Sequence, residues 1–191
     1  MIIALGIGLG ILVLAVIGLY NGLIVKKNRV ENAFASIDVM LRKRYDLIPN
    51  LVSTVKGYAG HEREVLEEVT ELRRQALAGN RPTEERIGLD NRLSTALFGL
   101  IATVENYPDL KASEHFMHLQ RTLNEIEEQL SASRRAYNSA VTDYNTAIEV
   151  FPNSILAGTL GFKRRSLLIT PEQAREVPSV KASFQDADSA T

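Results

Sequence analysis

The sequence predicts an all-α fold in which an N-terminal transmembrane helix carries an up-and-down bundle of long helices, four of them expected. The first 25 residues contain no charged side chain, and apolar residues then recur at helical spacing as far as residue 151. The alternating pattern typical of β-strands does not occur. We divide the chain into an anchor (1–25), a helical bundle with a short membrane-proximal C-terminal segment (26–165) and a flexible tail (166–191).

The anchor is an apolar segment long enough to cross a bilayer, because a helix of about 20 apolar residues spans roughly 30 Å of hydrocarbon. A cleaved signal peptide would begin with basic residues and end at a small-residue cleavage site. Here the basic residues Lys26, Lys27 and Arg29 follow the apolar segment instead. Because basic residues near a membrane end tend to remain cytoplasmic, we expect the N-terminus outside and the bundle inside.

Glycines within the anchor recur at a spacing of four. Gly6 precedes Gly10, and Gly18 precedes Gly22. Small residues at this spacing allow two helices to approach closely in lipid, which favours a homo-oligomer. Chance in a glycine-rich segment explains the same spacing, and both interpretations stay open.

The first helix of the bundle continues directly from the anchor. Two series of residues at seven-residue spacing predict lengthwise packing against partner helices. One series is Phe34, Leu41, Ile48 and Val55, and the other is Val30, Ile37, Arg44, Leu51 and Tyr58. Pro49 removes one backbone hydrogen bond and crowds the carbonyl of Tyr45, which predicts a kink. Gly57 and Gly60 favour a helix end.

Two shorter helices are predicted next. The first covers about residues 61–77, and its inward residues are Val65, Leu66, Val69, Leu72 and Leu77. A loop over residues 78–82 precedes Thr83, which is a typical N-cap residue. The helix that Thr83 begins is expected to end near Asn106, before Pro108.

Residues 113–151 have the clearest helical pattern in the chain. One seven-residue series consists of Phe116, Leu123, Leu130, Tyr137, Tyr144 and Phe151, and its companion of Leu119, Ile126, Ser133, Ala140 and Ala147. A pattern of this length predicts a packed helix about 58 Å long. Four helices joined by short turns favour an up-and-down bundle.

Polar residues interrupt these apolar series, and buried polar groups are costly unless they are paired. We predict a structural polar network that sets the register of the helices, with a ligand site as the alternative. Its candidate members are Arg44, Asp46, Asn50, Tyr137, Asn138, Tyr144 and Asn145.

A short apolar segment over residues 155–162 is followed by Lys163, Arg164 and Arg165. If four helices alternate in direction, this segment returns to the bilayer. Its apolar residues then enter the interface and its basic residues contact anionic lipid. Alternatively, the segment caps the open end of the bundle core, and both roles are compatible.

No pattern typical of catalysis occurs in the sequence. There is no cysteine and no G-x-S-x-G motif. His115 and His118 are three residues apart with Glu114 before both, whereas the zinc-binding HExxH helix places its glutamate between histidines four apart. We therefore expect neither an enzyme nor a cofactor or metal site. The net charge of −1 indicates no nucleic-acid partner.

Several motifs together resemble the LemA family of bacterial membrane proteins. In sequence order they are RYDLIPNLV (44–52), GY (57–58), HE (61–62), ENYPDLKA (105–112) with Phe116, RxYNxxVxDYN (135–145), FPN (151–153) and AGxxGF (157–162). The resemblance extends from the anchor to about Phe162. The sequence departs from the family pattern at Leu130 and at residues 113–115.

The resemblance implies a single anchor in the bacterial inner (cell) membrane, an outside N-terminus and a cytoplasmic helical bundle. It implies no catalysed reaction. It associates the chain with membrane-bound metalloproteases and with membrane remodelling, including magnetosome formation in a distant branch. We expect a self-associating scaffold linked to membrane organisation or membrane-protein quality control, with membrane lipid as a partner. The alternative is a small-molecule or metal sensor with a polar site in the bundle.

Overall fold

The computed structural model describes residues 1–59, 62–78 and 83–168, and of residues 83 and 84 it describes the backbone alone. Within these ranges it contains six helices and no strand, which confirms the all-α fold. The helices are α1 (Ile2–Lys56), α2 (Arg63–Leu77), α3 (Thr83–Val104), α4 (Pro108–Lys111), α5 (Glu114–Glu149) and α6 (Asn153–Leu160).

Helix α1 joins the apolar N-terminal segment to the bundle without a break. Its 55 residues make a rod about 82 Å long, and it continues through Pro49. The apolar side chains before Leu23 are largely exposed, and Leu23 is the first buried residue. In the part of the chain that the structure describes, α1 is the one helix long and apolar enough to cross a membrane.

The helices α1, α2, α3 and α5 form the up-and-down bundle. Residue pairs that meet across the bundle show the directions of the helices. Arg44 of α1 contacts Asp90 of α3 and Glu127 of α5, and Phe34 lies against Tyr137, so α5 runs antiparallel to α1. Helix α3 runs parallel to α1, and α4 connects it to α5 at the end distant from the apolar segment.

The two ends of the bundle differ in their number of helices. All four helices surround the core at the distant end, whereas α2 and α3 do not extend beside the first residues of the bundle. There, α1 packs against the C-terminal half of α5 and against α6. The chain after α6 covers the remaining face, as the burial of Leu168 shows.

Most positions of the predicted seven-residue series are buried. Phe34, Ser133 and Ala140 are half-buried in the middle of their helices, and the exposed exceptions lie at or beyond the ends of helices. Tyr58 follows α1 and is 52% exposed, Phe151 follows α5 and is 80% exposed, and Leu77 is the last residue of α2. Helix α3 ends at Val104, two residues earlier than predicted. Tyr58, Phe151 and Leu77 lie outside the core because each is at or beyond the last residue of its helix.

Helix α6 reverses the chain through a glycine. Gly161 has a φ of 73°, a left-handed conformation that glycine adopts without steric cost. The N–H of Phe162 donates to the carbonyl of Ala157, as in the usual glycine-ended helix terminus. Residues 162–168 then run back along α5. The predicted tail begins at residue 166, but residues 166–168 contact α5; residues 169–191 lie outside the described ranges, as do His61 and most of the predicted 78–82 loop.

Candidate functional site

A buried cluster of charged side chains lies at the centre of the bundle. Arg44 is fully buried, and its Nη1 donates to Glu127 Oε1 at 2.6 Å and to Ser94 Oγ at 3.0 Å. Its Nη2 donates to the backbone carbonyl of Asp90 at 3.2 Å and lies 2.7 Å from a carboxylate oxygen of the same residue. Arg44 therefore connects α1 to both α3 and α5.

Arg134 of α5 completes this arrangement by pairing with the second carboxylate oxygen of Asp90. We call Arg44, Asp90, Glu127 and Arg134 the charge cluster. Its two cations balance two anions, which is the condition under which buried charges are tolerated. Burial, followed by the charge of Asp90, raises the pKa of the neighbouring Tyr45 to about 12, so its hydroxyl is neutral at physiological pH.

A small cavity lies beside the charge cluster. It is bordered by Phe34, Leu41, Asp90, Arg134 and Leu168. Its volume is about 30 Å³, enough for one or two water molecules. The charges nearby are already paired within the chain, so the cluster can hold the helices in register, and this cavity has little room for a small molecule.

Two Tyr-Asn pairs on α5 bind the extended chain after α6. Asn145 Nδ2 donates to the carbonyl of Arg165 at 2.9 Å, and the N–H of Arg165 donates to Asn145 Oδ1 at 2.9 Å. Asn138 makes the same two hydrogen bonds with Leu168, each 2.8 Å long. The hydroxyls of Tyr144 and Tyr137 donate to the carbonyls of Lys163 and Ser166. We call this set of contacts the Tyr-Asn ladder.

The spacing of the Tyr-Asn ladder matches that of the extended chain. Seven residues of helix rise about 10.5 Å, and three residues of extended chain cover about 10 Å. Residues three apart on the segment therefore meet side chains seven apart on α5. Burial raises the pKa values of Tyr137 and Tyr144, which keeps their hydroxyls as donors. All these contacts are to backbone atoms, so they fix the path of the segment whatever its side chains are.

The seven residues predicted to form one network lie in three separate places. Arg44 belongs to the charge cluster, and the four Tyr and Asn residues of α5 belong to the Tyr-Asn ladder. Asp46 and Asn50 are exposed on α1, because they are rotated about 200° and 240° from Arg44 around the helix. The structure does not bring Asp46 or Asn50 to either set.

Sequence reasoning missed Asp90, Glu127 and Ser94 as partners of Arg44. A signal for Asp90 was present, because Asp90, Leu93, Leu97, Leu100 and Val104 alternate at spacings of three and four. This spacing places a carboxylate on the apolar face of α3, opposite the arginine on the apolar face of α1. Glu127 has a weaker signal, since it lies beside the buried Ile126 rather than on the series itself.

The basic residues predicted to contact membrane lie where the bundle meets the apolar segment of α1. Phe162 lies against Tyr20, with ring centroids 6.4 Å apart. Lys163 is exposed and has no ion pair among the described residues, whereas Arg164 pairs with Glu149 at 2.9 Å. Arg165 lies 3.7 Å from Glu31. Three cations are therefore held beside the last turns of the apolar segment.

The histidines that superficially resemble a zinc motif are both exposed on α5. His115 and His118 are exposed, whereas Phe116 and Leu119 beside them are buried. Within the described ranges, no group of three or more histidine, aspartate or glutamate side chains is placed to hold a metal ion.

Comparison with known proteins finds one matching family and several related proteins. The LemA family matches residues 33–182. Over 170 residues the chain is 22% identical to magnetosome protein MamQ of Magnetospirillum gryphiswaldense, covering 76% of this chain and 62% of that protein. Over 152 residues it is 25% identical to protein LemA of Metamycoplasma hominis, covering 80% and 69%. The aligned region thus spans about 62% of the length of MamQ.

Proposed function

Because this chain belongs to the LemA family, we propose that it is a membrane-anchored helical scaffold that self-associates and supports membrane organisation or the quality control of membrane proteins. Three relatives are named magnetosome proteins, which supports a role at membranes. By family association, a membrane-bound metalloprotease is a candidate partner. The scaffold acts by binding and positioning other molecules rather than by catalysis.

The observation that carries this proposal is the continuity of α1. The same helix supplies an exposed apolar segment more than 20 residues long and one wall of the bundle. Exposed apolar surface of that length is costly in water and favourable in a bilayer. A helix without a break transmits the orientation of the anchor to the bundle, as a positioning role requires.

Self-association is supported by two open surfaces. A side-chain carbon added at Gly6, Gly10, Gly18 or Gly22 would meet nothing within 4 Å, so the faces of these glycines are free to receive another helix. On the bundle, Phe98 of α3 is 69% exposed above a groove between α3 and α5. Large exposed aromatic side chains are typical of protein interfaces.

We further propose that the bundle is cytoplasmic at the bacterial inner membrane. Lys26, Lys27 and Arg29 support this orientation. The up-and-down topology supports a return of residues 151–165 to the membrane, since α6 packs beside the end of the apolar segment with Ile155 and Leu160 exposed. A reporter active only in the cytoplasm, fused after Thr191, tests the orientation.

The sensor alternative finds little support at the charge cluster. Arg44, Asp90 and Arg134 are already paired with one another or with Glu127. A ligand at the charge cluster would have to displace these ion pairs, and the cavity between Phe34, Asp90 and Arg134 holds only about 30 Å³. The groove that Ser94 and Glu127 line between α3 and α5 is larger, about 270 Å³, and is the place in the bundle where a sensor ligand would fit best.

Crosslinking in native membranes tests the scaffold proposal. The chain has no cysteine, so one cysteine at the exposed Thr95, one turn before Phe98, gives a unique crosslinking position, with exposed Asn124 as a second position. The proposal predicts crosslinked copies of the chain and co-purified membrane proteins identified by mass spectrometry. Monomer alone from both positions, under conditions that capture a known membrane dimer, would contradict it.

A further inference from the structure

A cleft of about 630 Å³ lies where α1, α5 and the chain after α6 meet. Its apolar lining includes Tyr20, Ile24, Leu160 and Phe162. Tyr20, Ile24 and Lys27 follow one another at spacings of four and three, so they share one face of α1. The cleft changes from apolar to cationic along this face, within a single helical turn.

Four cations line the other end of the cleft: Lys27, Lys163, Arg164 and Arg165. Two carboxylates lie near them, since Arg164 pairs with Glu149 and Glu31 lies 3.8 Å from Lys27 and 3.7 Å from Arg165. Four positive charges against two negative charges leave an excess of two positive charges. The cationic end is therefore complementary to an anion.

The Tyr-Asn ladder fixes the backbone of Lys163 and Arg165, two of these four cations. Tyr144 binds the backbone carbonyl of Lys163, and Asn145 binds both polar backbone groups of Arg165. The cations consequently project from a fixed backbone rather than from a mobile tail. A fixed arrangement of charges loses less conformational entropy when it binds an anion.

We propose that this cleft is a binding site for one anionic phospholipid, with the phosphate between Lys27 and Lys163 and an acyl chain along Tyr20, Ile24 and Leu160. The inference rests on the proposed membrane anchoring of α1. In that setting, the change from Ile24 to Lys27 coincides with the change from hydrocarbon to headgroups. A phospholipid is the molecule that has an anion and an apolar chain joined in that order at that depth.

The site should distinguish a lipid from free phosphate. The phosphate group alone satisfies only the cationic end, whereas the apolar wall formed by Ile24, Leu160 and Phe162 needs an acyl chain. Binding in the cleft must also be distinguished from the general attraction of anionic lipid to any basic residue at the same depth. Lys26 and Arg29 serve this purpose, because they lie at the same depth on other faces of α1 and do not line the cleft.

The test uses the full chain in lipid nanodiscs. The sequence has no tryptophan, so Leu160→Trp places a single fluorophore in the cleft. Its quenching is compared between discs that contain brominated phosphatidylglycerol and discs that contain brominated phosphatidylcholine at the same mole fraction. We expect stronger quenching by the anionic lipid, and added inorganic phosphate should leave this preference unchanged.

Two matched double variants test which basic residues cause the preference for the anionic lipid. Lys163→Gln with Arg165→Gln should lower the preference by about tenfold or more, because they remove cations of the cleft that face the phosphate. Lys26→Gln with Arg29→Gln removes the same charge and should retain most of the preference. Both pairs replace side chains that are exposed or half-buried, and circular dichroism checks that the helices remain.

Three outcomes would overturn the lipid site. They are equal quenching by the two lipids, equal loss of preference in both variant pairs, and abolition of the preference by inorganic phosphate. The second would show diffuse surface attraction, and the third a site for soluble phosphate. None of them affects crosslinking between copies of the chain, so failure of the lipid site is distinguishable from failure of the scaffold proposal.

Discussion

Arg73 of α2 donates a hydrogen bond from Nε to the backbone carbonyl of Tyr45 in α1, with a distance of 2.7 Å. In a regular helix this carbonyl accepts from the N–H four residues later, but that residue is Pro49, which has no N–H. The side chain of a neighbouring helix thus satisfies the carbonyl that the proline leaves free. This contact explains how α1 continues through Pro49 and why α2 packs at this level.

The contact predicts a dependence between Arg73 and Pro49. Arg73→Ala should lower the free energy of unfolding by roughly 1–3 kcal/mol, because it leaves a partly buried carbonyl without a donor. In a Pro49→Ala background the helix supplies its own N–H, so the same change should cost about 1 kcal/mol less. Denaturant unfolding of the detergent-solubilised chain measures both costs. Equal costs in the two backgrounds would show that Arg73 does not compensate for the proline.

Arg44→Ala should be severely destabilising. It leaves Glu127 without its buried partner and Asp90 with only Arg134, and breaking a buried ion pair costs roughly 3–5 kcal/mol. Arg42→Ala is the control, because Arg42 is exposed and surface changes typically stay within about 0.5 kcal/mol. Denaturant unfolding compares the two variants. A cost for Arg44 as small as that for Arg42 would refute the charge cluster, and a gain in stability would favour the sensor alternative.

Asn145→Ala should release the backbone of Arg165 from α5. Two hydrogen bonds are lost together, which at roughly 1–3 kcal/mol corresponds to amide exchange faster by about fivefold to 100-fold at Arg165. Hydrogen exchange followed by NMR measures this effect. Asn124→Ala, an exposed change on the same helix, should leave the exchange of Arg165 unaltered. Unchanged exchange in the Asn145 variant would mean that the segment is held by other contacts.

The buried Tyr45 predicts a loss of stability at high pH. Burial raises its pKa from about 10 to about 12 in the folded protein. The neutral hydroxyl is therefore favoured in the folded state, and its contribution is complete below pH 10 and lost between about pH 10 and 12. Two pKa units correspond to roughly 2–3 kcal/mol. Between pH 10 and pH 12, the unfolding free energy of the wild type should fall relative to that of Tyr45→Phe by roughly 2–3 kcal/mol. A difference between the two proteins that stays constant over this pH range would contradict the raised pKa of Tyr45.

The sequence was sufficient to predict the helices because their burial follows from a repeat. Phe116, Leu123, Leu130, Tyr137 and Tyr144 are buried as the seven-residue spacing predicted, since that spacing returns to the same face of a helix. The same reasoning marked Arg44 as a charged residue on an apolar face. It did not identify a partner, because register between helices distant in the sequence depends on packing.

Sequence patterns could not predict that residues 163–168 lie against α5, and the reason is physical. It binds α5 through backbone atoms, which every residue has, so its own side chains carry no signal. The repeat of Tyr137-Asn138 and Tyr144-Asn145 indicated a polar structure on α5. The repeat predicts a polar layer between helices, whereas the structure places the extended segment 163–168 there.

Counting the copies in each assembly tests the central claim, a self-associating scaffold in a membrane, most directly. Lys56→Cys introduces one labelling position at the exposed end of α1, far from the apolar segment. The labelled full chain is observed by single-molecule photobleaching in native membrane vesicles at low density. The account predicts more than one bleaching step per particle, with a step count that persists on dilution. A single step per particle at every density, where a known membrane dimer gives two, would contradict it.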